Sequence, residues 1–321
     1  MILVKSPVRV SLVGGGTDYP AYYRTNRGAV LSGSINKYVW ITVRYLPPYF
    51  EHKHRIVYSR IESVQSLAEI NHPSVRACLE HRGIEQGIEI HHDGDVPARS
   101  GLGTSSSFTV GLLNALYALQ GQFITKMALA LDAIHVEQDI IKEVVGSQDV
   151  FASAFGGFNK ISFSDKDIKV EPVKLSPEIE QSLMLVYAGL PRYANSVAAS
   201  YQFDDGVMQE MLELVDEAIP VVEKGDVKEL SRLLSESWDL KQRLSEEISN
   251  SYISTICEVA KKAGALAWKL CGAGSSGFIL LVAEPDVQET IKKAMKQFLF
   301  VPFSFEYEGS TIVFDSEKRD G

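Results

Sequence analysis

The opening of the chain shows the two-residue alternation that is typical of strands. Ile2 to Val13 alternates between apolar and polar positions around Pro7 and predicts a β-strand. Gly33 to Arg44 is rich in β-branched and aromatic residues and predicts a second strand, with which Ile56 to Tyr58 is expected to pair. Gly87 to His92 alternates again and predicts a further strand.

Apolar residues at helical spacing predict helices in both halves of the chain. The predicted helices are Pro73 to Arg82, Phe108 to Leu119, Lys126 to Val145, Gly206 to Lys224, Val227 to Leu244, Tyr252 to Ala263 and Pro285 to Phe298. Further strands are predicted at Phe158 to Phe163, Ser182 to Ala188 and Phe278 to Ala283, with two short strands in the tail. Because strands and helices mix without strict alternation, an α+β fold is favoured over a doubly wound sheet. The charged stretch from Ser164 to Pro177 predicts a linker, so we expect domains at residues 1–170 and 171–321.

Composition and charge exclude several classes of protein. Of the 321 residues, 45% are hydrophobic and 23% charged, which is globular composition and excludes wholesale disorder. A net charge of -9, with no long Lys/Arg run, disfavours nucleic-acid binding. The three cysteines are far apart and predict free thiols in a reducing cytosol. The longest strongly apolar stretch, Phe278 to Ala283, is too short to span a membrane, so we expect a cytoplasmic protein without a membrane partner.

A Gly- and Ser-rich loop carries the strongest local signal for chemistry. The sequence PARSGLGTSSS runs from Pro97 to Ser107, just before the helix predicted from Phe108. Glycines let a backbone approach a ligand closely, and the free N–H groups of a first helical turn suit a phosphate. A hydroxyl in that turn can also reach a magnesium ion. The alternative is a Ser-rich N-cap on a flexible loop, and the pattern alone leaves both possibilities open.

The common nucleotide-binding motifs do not occur in this sequence. There is no GxxxxGK[ST] loop, and there are no HRD and DFG motifs of protein kinases. The sequence GAGSSG from Gly272 to Gly277 has the spacing of a dinucleotide-binding fingerprint, but it leads into the apolar strand FILLVA instead of a helix. It therefore predicts a second tight Gly-rich turn, for which a plain hairpin turn is an equally good interpretation.

Three acids are candidates for the chemistry. Asp18 follows bare glycine backbone and precedes aromatic residues, a combination that suits a sugar, although a turn with Asp18 as a helix cap is the alternative. Asp149 has mostly uncharged neighbours and would need a partner if it were buried, or else it is a structural cap. Glu137 lies between apolar pairs of a predicted helix, but a solvated or salt-bridged surface residue is the simpler interpretation.

Taken in order, three segments resemble the motifs of the GHMP small-molecule kinases. They are SPVRVSLVGGGTDYP from Ser6, PARSGLGTSSS from Pro97 and CGAGSSGF from Cys271. The resemblance covers essentially the whole chain. It implies a two-domain α+β fold, with a ribosomal-protein-like βαβ domain followed by a ferredoxin-like domain and an active site in the cleft between them. Within the family, GGGTDYPAYY, INKYVWITV and GSQDVFASAFGGFNKI are similar to D-glycero-D-manno-heptose 7-phosphate kinases, which are themselves similar to the kinase half of bifunctional fucokinases.

The resemblance implies an ATP-dependent and Mg²⁺-dependent phosphotransferase acting on a small-molecule sugar phosphate. The implied reaction is phosphorylation of the anomeric hydroxyl of heptose 7-phosphate to the 1,7-bisphosphate, for nucleotide-activated heptose and surface glycan synthesis. The alternatives are another GHMP sugar kinase of the fucokinase type, or a non-catalytic ligand-sensing relative. The sequence makes no prediction of the oligomeric state.

The family motifs also imply roles for individual residues. Asp149 and Arg9 would be catalytic, and Ser105 and Glu137 would hold Mg²⁺. The implied ATP-binding residues are Pro97, Ser100, Gly101, Leu102, Gly103, Thr104, Ser105 and Ser106. The implied substrate-binding residues are Gly15, Gly16, Thr17, Asp18, Arg192, Gly272, Ala273 and Gly274. Two positions depart from the family: Thr104 stands where Ser is commoner, and the segment from Ala188 to Arg192 differs from Thr-Gly-x-x-Arg, so a surface arginine is the alternative for Arg192.

Overall fold

The computed structural model of the chain describes residues 1–189, 200–274 and 277–316. The helices are α1 (Pro20–Tyr23), α2 (Pro73–His81), α3 (Thr104–Leu119), α4 (Lys126–Ile134), α5 (Gln148–Phe155), α6 (Pro177–Ser182), α7 (Asp205–Lys224), α8 (Val227–Gln242), α9 (Ser251–Lys262) and α10 (Gln288–Ala294). The strands are β1 (Ile2–Val13), β2 (Gly28–Tyr45), β3 (His54–Val57), β4 (Ile61–Val64), β5 (Ile88–Gly94), β6 (Phe158–Phe163), β7 (Ile168–Pro172), β8 (Leu183–Tyr187), β9 (Ala267–Leu270), β10 (Phe278–Val282), β11 (Leu299–Val301) and β12 (Thr311–Asp315). No helix of the described ranges is long and apolar enough to cross a membrane.

The larger sheet is built around β1 and β2. Its strand order is β12-β1-β2-β5-β3-β4, and β6 pairs with both β2 and β7. β12 covers the outer edge of β1 only from Ile2 to Lys5. Beyond that point the edge receives the Gly-rich loop, since the backbone N–H of Arg9 donates to the carbonyl of Leu102 at 2.9 Å. The opening strand therefore joins the sheet to the loop that carries the strongest sequence signal.

The smaller sheet has the strand order β11-β8-β10-β9, and all of its pairs are antiparallel. Within the described residues, three α-helices separate β8 from β9, a short connection separates β9 from β10, and one further α-helix separates β10 from β11. The order of fourth, first, third and second strand is that of the βαββαβ ferredoxin-like motif. The ferredoxin-like second domain expected from the sequence is therefore present.

The helix predicted from Lys126 to Val145 is shorter in the structure. α4 continues from His135 to Ile140 as a π-helical turn and then stops. It stops because Lys142 adopts a left-handed conformation with a φ of 63°, and the N–H of Glu143 closes back on the carbonyl of Glu137 at 2.9 Å. A left-handed residue followed by a bond back to the helix resembles the Schellman end of helices, but here the bond spans six residues instead of five, as a π-helical turn requires. π-Helical turns are uncommon in proteins, and those that occur are often found at functional sites. This one carries Glu137.

Other elements differ from the sequence-based expectations. β3 does not pair with β2, because β5 occupies that edge of β2 and β3 pairs with β5 and β4 instead. α3 begins four residues earlier than predicted, at Thr104. α5 and β9 were not predicted. The expected linker from Ser164 to Pro177 contains β7, which pairs with β6, and the boundary predicted between residues 170 and 171 falls inside that strand. The division into domains at that point stays a prediction.

Candidate active site

A cleft lies where loops from both parts of the chain meet. Its walls come from the turn after β1, the Gly-rich loop and first turn of α3, the segment leading into α5, the end of α8 and the turn after β9. The lining residues are Arg9, Gly15, Gly16, Asp18, Tyr19, Arg99, Gly101, Gly103, Thr104, Ser105, Ser106, Val144, Val145, Gly146, Gln148, Asp149, Tyr201, Lys241, Gly272 and Ala273.

The Gly-rich loop reaches the cleft in a conformation that requires glycine. Gly101 and Gly103 have φ angles of 85° and 80°, in the left-handed region that disfavours other residues. A side chain at Gly103 would also come within about 3.0 Å of the Asp149 carboxylate. α3 begins immediately afterwards, so its unpaired N–H groups and the positive end of its dipole face the cleft. This loop and helix start have the features of an anion-binding site.

Arg9 and Asp149 form a bidentate ion pair in this cleft. Arg9 is 4% exposed, and its Nε and Nη2 donate to Oδ1 and Oδ2 of Asp149 at 2.7 and 2.9 Å. Its third nitrogen, Nη1, donates to the carbonyl of Gly101 at 2.7 Å. Burial alone would lower the pKa of Arg9, but the Asp149 carboxylate outweighs burial and raises it. Arg9 of β1 thus connects the Asp149 carboxylate at the start of α5 to the Gly-rich loop.

Glu137 is buried against the first turn of α3. Its Oε2 accepts a hydrogen bond from Ser106 Oγ at 3.0 Å, and its Oε1 accepts none from the described residues. Burial raises the pKa of this carboxyl to about 8, a shift that the nearby hydroxyls of Thr109 and Ser106 partly offset. The alternative interpretation of Glu137 as a solvated surface residue is therefore wrong. The structure also brings Glu137 to Ser106, whereas Ser105 is exposed on the cleft wall.

The residues around Glu137 fit a magnesium ion that is bound mainly by nucleotide phosphates. The described part of the chain contains no group of three or more His, Cys, Asp or Glu side chains that could hold a metal by themselves. Mg²⁺ in phosphoryl-transfer sites usually takes only one or two protein ligands and receives the rest from phosphates and water. The unpartnered Oε1 of Glu137 and the adjacent hydroxyl of Ser106 are oxygen donors of the kind that this ion prefers.

Asp18 is held by backbone donors on the opposite wall. Its Oδ1 accepts from the N–H of Gly16 at 2.9 Å and its Oδ2 from the N–H of Gln148 at 3.2 Å. Burial raises the pKa of Asp18, and the hydrogen bond from Gly16 partly offsets that effect. A side chain at Gly146 would approach Asp18 Oδ2 to 2.0 Å, so glycine is required beside this carboxylate. The position of Asp18 thus depends on two segments that are far apart in sequence.

Two buried lysines lie near the ion pair. Lys241, at the end of α8, is 7% exposed, lines the cleft and donates from Nζ to the carbonyl of Gly272. Burial, followed by repulsion from Arg9, lowers its pKa to about 8. Lys269 in β9 lies behind it and donates to the carbonyl of Leu12 at 2.8 Å, and burial together with Lys241 lowers its pKa to about 7. Lys241 is therefore a cation that an anionic ligand in the cleft can contact.

Some residues expected in the site support its walls from behind. The Thr17 hydroxyl is fully buried and is bonded to the backbone of Gly14 and Ala29, which braces the turn after β1. Ser100 and Leu102 are fully buried and use their carbonyls to accept from Phe278 and Arg9. Among the described residues, those predicted for the site that do not form the cleft wall are Pro97, Ser100, Leu102, Thr17, Glu137 and Gly274. Arg192 lies outside the described residues.

Several cleft residues were not found from the sequence. Tyr19 and Tyr201 pack with ring centroids 5.4 Å apart, and the Tyr201 hydroxyl donates to the carbonyl of Ala273 at 2.8 Å. Gln148 and Lys241 also face the cleft. The aromatic run after Asp18 was a usable signal for Tyr19. Tyr201 and Lys241 had none, since they come from distant segments whose local patterns indicate only ordinary helix and loop.

Comparison with known proteins identifies the family. The GHMP kinases N terminal domain matches residues 70–157 and the GHMP kinases C terminal domain matches residues 218–300, together more than half of the chain. The chain is 28% identical to D-glycero-alpha-D-manno-heptose 7-phosphate kinase of Campylobacter jejuni, over 96% of this chain and 97% of that one. It is 27% identical to the bifunctional fucokinase/GDP-fucose pyrophosphorylase of Arabidopsis thaliana, over 88% of this chain and 30% of that one.

A solved structure agrees with these matches. The crystal structure of a D-glycero-D-manno-heptose 1-phosphate kinase from Bacteroides thetaiotaomicron superimposes with a TM-score of 0.82 at 25% identity, over 99% of this chain and all of that chain. The two-domain α+β fold and the kinase activity predicted from the three motifs are thereby confirmed. The chain belongs to the GHMP kinase family and is an ATP-dependent kinase.

Proposed function

We propose that this kinase transfers the γ-phosphoryl group of ATP to the anomeric hydroxyl of D-glycero-D-manno-heptose 7-phosphate, and that its 1,7-bisphosphate product feeds nucleotide-activated heptose synthesis for a surface glycan. The observation that carries the proposal is the Arg9–Asp149 pair, which lies in one cleft with the Gly-rich loop and the Asp18 turn. The similarity to a heptose 7-phosphate kinase over nearly the full length of both chains supports this acceptor.

In this proposal the ion pair acts on the attacking hydroxyl. Phosphoryl transfer depends mainly on positioning and on neutralising charge. Asp149 accepts or orients the proton of the anomeric hydroxyl. Arg9 holds that carboxylate in place with two hydrogen bonds and adds positive charge beside the group in transfer. Since Arg9 also donates to the carbonyl of Gly101, the acid is fixed relative to the loop that would cradle the triphosphate.

The nucleotide side of the cleft has donors for phosphate and for a metal. The loop from Gly101 to Ser106 and the first turn of α3 would hold the triphosphate with backbone N–H groups. Ser106 and Glu137 would hold Mg²⁺, with Ser105 nearby, and the ion supplies charge neutralisation to the phosphate oxygens. With the pKa of Glu137 at about 8, a cation at this carboxylate also favours its ionised form.

The acceptor side of the cleft suits a sugar that carries a phosphate. Asp18 and the glycines of its turn present acceptors and bare backbone to hydroxyl groups, and Tyr19 and Tyr201 add aromatic surface. Lys241 is a cation of the cleft wall beyond the Arg9–Asp149 pair, and phosphate is the ligand for which such a group is best suited. We therefore propose Lys241 for the acceptor phosphate. The phosphate role of Arg192 stays a prediction.

A second acceptor is favoured by one comparison. The structural relative with a TM-score of 0.82 is described as a heptose 1-phosphate kinase. Phosphorylation of heptose 7-phosphate at O1 and of heptose 1-phosphate at O7 gives the same bisphosphate, so the two activities differ only in the hydroxyl that faces Asp149. A fucokinase-type reaction on an unphosphorylated sugar is the remaining alternative from the sequence, and it does not require the cation at Lys241.

A direct assay separates these possibilities. The purified protein is incubated with MgATP and, separately, with heptose 7-phosphate, heptose 1-phosphate, unphosphorylated heptose, L-fucose and galactose. ADP release gives the rates, and ³¹P NMR gives the position of the new phosphate. We expect heptose 7-phosphate to have the highest kcat/KM, with the new phosphate at O1. A preference for any other acceptor contradicts the proposal, and ATP binding without turnover on the whole panel favours a ligand-sensing relative.

A further inference from the structure

Gly15 occupies a position at which neither the backbone nor the packing requires glycine. Its neighbour Gly16 has a φ of +127°, where other residues are strained, whereas Gly15 is outside the left-handed region. A Cβ added at Gly15 would meet only Gln148 Nε2 and Ser11 Oγ, each at 3.6 Å, which is ordinary van der Waals contact. The fold would therefore accept a residue with a side chain at this position. That side chain would occupy part of the cleft that Gly15 lines.

The same space is bounded by polar groups without protein partners. Gln148 is 8% exposed and lines the cleft, and its Oε1 accepts no hydrogen bond from the described residues. Ser11 Oγ, on the other side of Gly15, is also buried without a partner in that part of the chain. Buried polar atoms in folded proteins nearly always have a partner. The unpartnered Oε1 of Gln148, which lines the cleft, therefore indicates a place where a ligand supplies the hydrogen bond.

Hydrogen bonds hold the backbone around Gln148, and its side-chain amide lies beside Gly15. Its N–H donates to Asp18 Oδ2 at 3.2 Å, and the preceding N–H, of Ser147, donates to the carbonyl of Asp18 at 2.9 Å. The Ser147 hydroxyl is in turn 3.1 Å from the Tyr23 hydroxyl. The next residue in the chain is Asp149, which is paired with Arg9. The Gln148 amide therefore lies between the Asp18 turn and the proposed reacting centre.

We propose that Gln148 determines acceptor specificity: its amide binds a ring hydroxyl of the sugar, and Gly15 provides the room for that part of the ring. This inference rests on the proposed sugar kinase function. An amide has both an acceptor and a donor and matches a hydroxyl, which has both as well. A sugar kinase with a bulky residue at position 15 would fill this space and exclude an acceptor that needs it.

Two variants and a matched control test the inference. Gly15→Ala and Gln148→Met should each raise the KM of the acceptor by about tenfold, the equivalent of one hydrogen bond or one lost contact, and leave the KM of ATP within about twofold. The Tm of Gly15→Ala should stay within about 2 °C of the wild type, since the added methyl group makes only ordinary contacts. The Tm of Gln148→Met should change as little, since the Oε1 that it removes has no partner among the described residues. Gly16→Ala, in the same turn, should instead lower the Tm because of its φ of +127°.

Deoxy sugars identify the contact itself. Mono-deoxy analogues of the acceptor that the wild-type enzyme phosphorylates best are assayed with the wild type and with Gln148→Met. For one analogue the two enzymes should have equal KM values, because the hydroxyl that Gln148 binds is already missing. The inference is overturned if the acceptor KM is unchanged in both variants, or if Gln148→Met raises the KM by the same factor for every analogue. If the wild type phosphorylates no sugar at all, it is the proposed function that fails.

Discussion

The Arg9–Asp149 pair gives the sharpest test of the proposed site, through a double-mutant cycle of Arg9→Met, Asp149→Asn and the two combined. Removing one partner of a buried ion pair leaves an uncompensated charge and costs about 3–5 kcal/mol of the free energy of unfolding. Arg9→Met also removes the hydrogen bond to the carbonyl of Gly101, which adds about 1 kcal/mol. The double variant leaves no unpaired charge, so its loss should be smaller than the sum of the single losses by about 2–3 kcal/mol.

Urea denaturation measures the stability side of the cycle, and steady-state kinetics measures the catalytic side. Asp149→Asn should lower kcat by about 10²–10⁴-fold and leave the Kd of ATP nearly unchanged, since general base catalysis contributes about that much. Arg44→Met is the matched control. Arg44 is half exposed, and its partner Glu89 keeps Arg55, so this variant should lose less than about 1 kcal/mol.

Two results would refute this reasoning. A coupling energy below about 0.5 kcal/mol would mean that the two side chains do not depend on each other in solution. A near-normal kcat in Asp149→Asn would mean that the carboxylate does not act on the attacking hydroxyl, whatever its effect on stability.

Three further predictions concern the buried groups around the cleft. Gly146→Ala should raise the acceptor KM at least tenfold, since its Cβ would collide with Asp18, and an unchanged KM would contradict the role of Asp18. Between its ordinary pKa of 4.5 and its folded pKa of about 8, Glu137 holds a proton in the folded protein that the unfolded chain has released. Raising the pH through this range should therefore lower the free energy of unfolding of the wild type, relative to Glu137→Gln, by on the order of a few kcal/mol. Thermal unfolding without nucleotide, at a series of pH values, measures this difference. Parallel pH dependences of those two proteins would contradict the burial of a neutral acid. For Lys269 the pH dependence has the opposite direction, because between its folded pKa of about 7 and its ordinary pKa of 10.5 only the unfolded chain keeps the proton. Lowering the pH to 7 should therefore lower the free energy of unfolding of the wild type relative to Lys269→Met, and this difference should disappear towards pH 10.5. Equal stability of the wild type and Lys269→Met at pH 7 would show that the lysine is not desolvated.

The sequence predicted the contact between Arg9 and Asp149 better than the side-chain partner of Glu137. Arg9 and Asp149 lie in motifs whose order is a family signature, so a contact across 140 positions could be expected from the sequence alone. The resemblance implied Ser105 as a ligand of Mg²⁺, and the sequence pattern predicted separately that α3 begins at Phe108. It begins at Thr104, and successive residues of a helix point about 100° apart, so Ser106 faces Glu137 and Ser105 faces the cleft.

The other omissions have a common physical cause. α5 has only eight residues and no side-chain cap at its N-terminus, so it lacks the usual sequence signals of a helix start. The π-helical turn that carries Glu137 depends on Lys142 and on packing around it, and its sequence continues the pattern of α4. Lys241 ends an amphipathic helix, where a lysine is ordinarily favourable for the helix dipole. Its position in the cleft depends on tertiary burial beside Gly272, which no local pattern encodes.

The Gly-rich loop and the turn after β9 touch through bare backbone. A Cβ on Gly101 would lie 2.4 Å from the carbonyl of Cys271, and one on Gly272 would lie 2.5 Å from the Cα of Gly101. Beside them, the N–H of Phe278 donates to the carbonyl of Ser100 at 3.2 Å. These contacts hold the Gly-rich loop against the smaller sheet. In the proposed ATP complex, the donors of the Gly-rich loop would therefore already be oriented when the phosphates reach them, without the free-energy cost of ordering a flexible segment.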